Sequence, residues 1–426
     1  MKILIKNGEI IDPSQKMDLV KKDILIESGK IIKIAASITD DKAKVIDAKG
    51  KYVTPGFIDM HTHLREPGRE DKETIETGLR AAVKGGFTTV CAMPNTQPAC
   101  DTASGVKYVI SRAEELKSAN VYPVGTITKE RKGKEISEMS DLKEAGAKAV
   151  SDDGSSVENA ELMRKAMEYA RMLDLLVISH AEVESLVANG VMHEGYYSTV
   201  LGLKPIPSLS ESIMVERDIE LAALTGARLH IAHVSAKESV EAIRKAKKNK
   251  IKVTAETTPH HLTLTDESLK NYDTNKKVNP PLRSKEDRDA LRKGIKDGTI
   301  DVIATDHAPH MENEKEQEFD NAPFGMIGLE TALPLCVRSL IATGYLEWYG
   351  LIEKLTLNPK QILGLEEEGT LLEGTKADIT IIDPTAEWVY TKEEIESKSS
   401  NSPFIGAKMT SKVVTVIANG KIVYGN

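Results

Sequence analysis

The chain of 426 residues is short of cysteine, aromatic residues and net positive charge, and each shortage narrows what it can be. Three cysteines, Cys91, Cys100 and Cys336, are too few and too dispersed for a disulfide framework, and none forms a zinc-type Cys-x-x-Cys pair. They fit a reducing compartment. Aromatics make up 4% of the chain beside frequent Lys, Glu and Ile, a balance thermophilic proteins favour. The net charge of -8 withholds the basic face that a nucleic-acid partner needs. The short basic run from Lys129 to Lys134 reads as a solvated loop. No apolar stretch approaches the length of a membrane span, and the opening MKILIKNGEI meets a charge and a turn too soon for a signal peptide. The expectation is a cytoplasmic protein with no membrane and no nucleic-acid partner. What is present, 40% apolar and 29% charged residues, is the composition of a soluble globular chain large enough for one large and one smaller domain.

The first fifty residues read as short strands with turns at Asn7-Gly8 and Ser28-Gly29, and the same texture returns in ADITIIDP and VVTVIANGKIVYGN, with a hairpin at Asn419-Gly420. A small β-sandwich built from both ends, 1–54 and 367–426, would bracket a central domain at 55–366. Within that centre, apolar β-branched runs at 57–63, 87–94, 121–127, 147–153, 175–181, 228–234, 251–257 and 301–307 alternate with helical stretches. Buried runs alternating with helices argue for parallel βα units, and this number of them predicts an α/β fold, a closed (β/α)8 TIM barrel. An open doubly wound sheet is the alternative. It would favour a Gly-x-Gly-x-x-Gly after the first strand, and none is there.

The strand ends carry the chemistry. His61 and His63 lie two apart at the end of the first run, where side chains at i and i+2 share a face and can grip one cation. Asp152-Asp153, His180, His233 and Asp306-His307 end four other runs. Alone, each histidine is as well explained as a buried polar residue; together at one barrel mouth they form a binuclear ligand set, with imidazole favouring zinc. Of the adjacent Asp152 and Asp153 only one can point into the mouth. His230 falls on the other face of its strand and His193 has no partner of similar spacing, so both are left out.

These residues sit in the motifs PGFIDMHTHLREPG, GGFTTVCAMPNTQP, SDDGSS, HEGYYS with LGLKPIP, HVSAKES, TPHHL, VNPPLR and ATDHAPH followed by GMIGLET. Together they make the chain resemble the dihydroorotases of the amidohydrolase superfamily, in their longer bacterial form, over essentially its whole length. The resemblance implies metal ligands at His61, His63, Asp153, His180, His233 and Asp306, with Asp153 bridging and one or two zinc ions held, two favoured. It implies reversible ring closure of N-carbamoyl-L-aspartate to dihydroorotate in pyrimidine synthesis, with a metal-activated hydroxide as nucleophile and Asp306 as general acid/base. Arg65, Asn95, Asn279 and His310, with backbone near Phe324 and Gly325, would hold the substrate. It also raises a homodimer and a complex with aspartate carbamoyltransferase as partners. Related hydantoinases and allantoinases bridge their metals with a carbamylated lysine, whereas here the position is Asp153 and Lys148 lies at the strand's start. That departure favours a dihydroorotase of the aspartate-bridged type; the alternatives are another cyclic amidohydrolase, a hydantoinase or allantoinase, or an inactive scaffold for aspartate carbamoyltransferase. Where the family commonly reads His-Cys-Glu-Asp, this chain has His180-Ala181-Glu182-Val183. The segment from His307 to Phe324 reads as a lid or a solvated loop.

Overall fold

A computed structural model describes residues 2–425. Eight parallel strands form one sheet in sequence order: Phe57–Thr62, Phe87–Ala92, Asn120–Gly125, Ala149–Ser151, Leu176–Ser179, Leu229–Ile231, Val253–Thr257 and Val302–Ile303. The sheet closes on itself. Thr62 pairs with His307 in a parallel bridge, and the His63 backbone N–H donates to the His307 carbonyl at 2.9 Å. Asp59 reinforces this seam from the first strand, accepting from the Thr305 N–H at 3.1 Å and the Thr305 hydroxyl at 2.6 Å.

Alternate residues of each strand serve two cores, as expected for strands covered on both faces. Ile58, Met60, Cys91, Val124, Ala149, Ile178 and Val302 fill the barrel interior, with Leu363 and Leu365 packed against them. Phe57, Phe87, Val150, Val177, Ile231 and Ala255 face outward under the helices. Those helices bury residues three and four apart, as Ser239, Val240, Ile243 and Ala246 do in Lys237–Lys248. The first helix, Ile75–Gly85, starts at Thr74, whose hydroxyl accepts from the Thr77 N–H at 3.1 Å, and stops at Gly86. Gly86 has φ 96°, and a Cβ there would stand 2.8 Å from the Phe57 ring, so only glycine turns the chain this sharply into the second strand.

The two chain ends share a sheet. Ile379–Val389 pairs with Tyr52–Pro55 in a six-stranded sheet, and a four-stranded sheet from the N-terminal segment faces it. Ile3, Ile24 and Ile31 of the one pack with Ile10, Val53, Ile381 and Ile417 of the other in a single apolar cluster, which makes the pair a sandwich. Ser28-Gly29 and Asn419-Gly420 close hairpins with positive φ at both residues. Asn7-Gly8 instead carries the chain from one sheet to the other, since Lys2–Lys6 and Glu9–Asp12 belong to different sheets.

Several barrel strands are shorter than the apolar runs suggest. The sixth ends at Ile231 and the eighth at Ile303, because the chain leaves extended geometry just before the polar residues, with positive φ at His233 (32°) and Asp306 (48°). Left-handed backbone at non-glycine residues is costly and gathers at functional sites. Arg65 shares it, at φ 62°. Among the described residues no helix is long and apolar enough to cross a membrane.

Candidate active site

The residues singled out at the strand ends meet in one place. A cavity of about 220 Å3 is lined by His63, Arg65, Asn95, Asp153, His180, His233, Asn279, Asp306, His310, Phe324 and Gly325, together with Gly154 and Ala308. His61, fully buried, lies against the same carboxylates. A larger cavity of about 600 Å3 beside Tyr122 and Lys148 holds none of these groups.

Two pairs of imidazoles flank Asp153. On one side its Oδ1 lies 3.5 Å from His180 Nδ1 and 3.4 Å from His233 Nε2, and those two nitrogens are 2.9 Å apart. On the other, His61 Nε2 lies 3.2 Å from Asp153 Oδ1, and His63 Nε2 lies 3.5 Å from Oδ2. Asp306 completes that side with Oδ1 at 3.0 Å from His63 Nε2 and 3.7 Å from His61 Nε2. The edge of a tetrahedron with zinc–ligand bonds near 2.1 Å is about 3.4 Å, so these separations suit donors arranged around shared cations. Two triads, His61, Asp153, His233 and His61, His63, Asp306, each bring one donor atom per residue within 4.8 Å of the others. His61 Nε2 and Asp153 Oδ1 are buried without a properly directed hydrogen bond, as a metal-binding pair would be.

Neighbours fix which nitrogen each ring presents. His61 Nδ1 lies 2.7 Å from Glu256 Oε1, and His63 Nδ1 lies 2.9 Å from Asn95 Oδ1. Each acceptor receives the Nδ1–H and so aims Nε2 at the carboxylates. Asp152 turns away from the mouth: it accepts the N–H groups of Ile127 (2.9 Å) and Thr128 (3.0 Å) and so ties the fourth strand to the third. Arg131, expected in a solvated loop, reaches inward to the Asp153 carbonyl at 2.6 Å. Its neighbours Lys129 and Lys132 stay outside, paired with Glu135 and Glu130.

The cluster holds its carboxylates ionised. Burial alone would raise Asp306, yet the His63 hydrogen bond and the charges of His61, His63 and His233 keep it well below the ordinary carboxylate range. Asp153 is likewise lowered against burial, by His61, His180 and His233. Burial would lower His61, but Asp153 and Glu256 raise it well above its usual value.

One wall is cationic and carries the groups expected to meet substrate. Arg65 donates from Nε to the Pro309 carbonyl at 3.2 Å and faces His310 Nε2 with Nη2 at 3.3 Å. Asn279 donates to Glu182 at 3.2 Å, while its Oδ1 is buried without a partner. Gly325 has φ 133°, and a Cβ there would press 2.8 Å from Ala308, so the Phe324-Gly325 edge can follow the cavity only without a side chain at 325. The segment before it is exposed at Glu312, Asn313, residues 316–318, Asp320 and Asn321 but anchored at Lys315, Phe319 and Ala322, which are buried. Lys315 is 5% exposed and donates to the carbonyls of Pro323 (2.8 Å) and Gly325 (2.9 Å).

Sequence reasoning passed over Glu256 and Glu182. Glu256 lies one residue before the end of the seventh strand, one of three that carry no ligand in the sequence reading, and an acid near the end of the buried run IKVTAET was the available signal. Glu182 lies 3.6 Å from His180 Nε2, and its place two residues after a strand-end histidine gave no comparable sign. His230 and His193, left aside from the sequence, bond outside the cluster: His230 to Thr254 at 2.8 Å and Glu256 at 3.2 Å, His193 to Arg283 at 3.4 Å. Lys148 lies over the Tyr122 ring, 5.3 Å from its centroid and away from the cavity.

A family model described as Dihydro-orotase-like matches residues 50–239. Proteins named dihydroorotase from Elusimicrobium minutum and Endomicrobium trichonymphae are 54% and 53% identical, over 99% and 100% of this chain and 97% and 100% of theirs. The one from Pelotomaculum thermopropionicum is 53% identical over 99% of this chain and 98% of its own. Among solved structures, the L-hydantoinase of Arthrobacter aurescens superposes with a TM-score of 0.89 at 26% identity, covering 99% of this chain and 96% of its own. With relatives this similar along their full length, this chain is an enzyme of the dihydroorotase family.

Proposed function

We propose that the chain catalyses the reversible conversion of N-carbamoyl-L-aspartate to L-dihydroorotate and water, a step of pyrimidine synthesis in the cytoplasm, with zinc held by His61, His63, Asp153, His180, His233 and Asp306. The observation that carries this reading is the meeting, in one cavity, of an imidazole–carboxylate cluster with the Arg65 guanidinium and the His310 imidazole beside it. Two ions are favoured, because the donors form two overlapping groups, His61, Asp153, His233 and His61, His63, Asp306, with His180 beside the first. A metal held by these residues would supply Lewis acidity toward the amide carbonyl and toward a water molecule.

The protein's residues supply the rest. Asp306, held ionised, accepts the proton of the attacking water in the hydrolytic direction and hands it to the departing ring nitrogen. In the synthetic direction the order reverses. Arg65 offers a planar fork to the substrate carboxylate, with His310 and Asn95 beside it, while Asn279 and the backbone at Phe324 and Gly325 border the ring. The barrel at 55–366 is read as the catalytic domain, and 1–54 with 367–426 as its composite β partner. A homodimer and a complex with aspartate carbamoyltransferase remain part of this reading as partners.

The test is to load the purified protein with zinc and follow dihydroorotate by ultraviolet absorbance. Turnover with zinc bound in stoichiometric amount supports the assignment, and no turnover at full occupancy removes it. A hydantoinase reading requires a carbamylated lysine at the mouth, and Lys148 is at the far end of its strand over Tyr122. An inactive scaffold would not be expected to keep the whole ligand set together.

A further inference from the structure

His310 stands between two cations, and each of its nitrogens faces a group that can only donate. Lys72 Nζ lies 2.9 Å from Nδ1, and Arg65 Nη2 lies 3.3 Å from Nε2. A neutral imidazole has one N–H and one lone pair, so it can accept from only one of them. The other contact sets donor against donor.

The surroundings decide which. Lys72 is 6% exposed, makes the shorter contact and is anchored by Glu314 at 3.0 Å. Arg65 makes the longer contact and is held independently of His310, its Nε–H donating to the Pro309 carbonyl at 3.2 Å. The rival for Nδ1 is Glu314 itself, whose Oε2 lies 3.5 Å away and could take a proton from that nitrogen if Lys72 were absent.

We infer that Lys72 is a positioning residue for carboxylate recognition: its ammonium donates to His310 Nδ1, fixes the ring as the Nε2–H tautomer and so aims a second donor into the cavity beside Arg65. The inference rests on the reading that a carboxylate-bearing ring occupies the cavity. Two adjacent donors then meet the two oxygens of that carboxylate, and the bound anion, standing between guanidinium and imidazole, relieves their mutual opposition. Without Lys72, Glu314 draws the proton to Nδ1 and turns the Nε2 lone pair against the substrate.

The experiment compares Lys72→Met and Lys72→Arg with the wild-type zinc enzyme. Lys72→Met is expected to raise the KM for dihydroorotate by about tenfold or more, the scale of one lost hydrogen bond to a charged group, with kcat changed far less. Lys72→Arg, which keeps a cationic donor, should recover most of the loss. Long-range proton–nitrogen spectra of nitrogen-15 histidine-labelled protein, with His310 assigned by its disappearance in His310→Asn, should show the Nε2–H tautomer in the wild type and its loss in Lys72→Met. An Nδ1–H ring in the wild type overturns the inference, and so does an unchanged KM in Lys72→Met. If Lys72→Met fails to fold, the wild-type spectrum still decides. Failure of the wild type to turn over dihydroorotate would sink the functional reading instead, while the tautomer would still report on Lys72.

Discussion

Glu256 holds His61 from behind, its Oε1 2.7 Å from His61 Nδ1 while its Oε2 lies 3.2 Å from His230 Nε2. Burial would raise this acid, but the two histidines keep it at about 2, so it is a permanent acceptor that aims His61 Nε2 at Asp153. Glu256→Ala should therefore weaken zinc binding by about 10- to 100-fold, the usual cost of losing such a support. Competition with a chromophoric chelator measures it. Zinc affinity equal to wild type would show that His61 is oriented by packing alone.

Asp306→Asn keeps the side chain's size but removes the proton acceptor. With far-UV circular dichroism unchanged, kcat should fall by about 10²- to 10⁴-fold, the range general acid–base groups supply. Because Asp306 also faces His61 and His63, zinc content has to be measured on the same sample. An active variant with full metal would place the proton carrier elsewhere.

How far the sequence revealed this site depended on position along each strand. His61, His63, His180 and His233 were legible because a polar residue ending an apolar run is conspicuous, and the barrel topology brings such ends to one mouth. Choosing Asp153 over Asp152 needed the family resemblance, because adjacency alone says only that one of them points inward. The structure supplies the reason: Asp152 is occupied by the Ile127 and Thr128 amides. The groups behind the cluster were not legible. Glu256 and Lys72 act through pairings with residues 195 and 238 positions away, and no local pattern records such distances. The left-handed backbone at His233 and Asp306 was equally hidden, since neither is a residue type whose presence announces positive φ as glycine does.

Arg65→Met should act on binding. Removing a guanidinium that pairs with a substrate carboxylate costs about 1.5–3 kcal/mol and should appear chiefly as a raised KM for dihydroorotate. Steady-state kinetics separates this from chemistry. A large fall in kcat at unchanged KM would instead place Arg65 at the transition state.

Glu330 offers a pH test that is independent of the metal cluster. It is 8% exposed; Oε1 accepts the N–H groups of Glu396 (2.9 Å) and Ser397 (3.2 Å), while Oε2 has no partner. Burial outweighs those two donors and pushes its pKa up from 4.5 to about 7. Below the unfolded value both states are protonated and the group has no effect. As pH rises from 4.5 to 7 the unfolded chain ionises first, so folded stability falls across that window and the full loss is present above it. A shift of this size corresponds to roughly 3 kcal/mol. Glu330→Gln keeps an acceptor for the two backbone donors and removes the buried charge, so it should raise the thermal midpoint near pH 8 and change it little near pH 4. Unfolding curves of both proteins across that range check the sign. A variant that is less stable near pH 8, or whose gain does not depend on pH, would mean that Glu330 is ionised and satisfied in the folded protein.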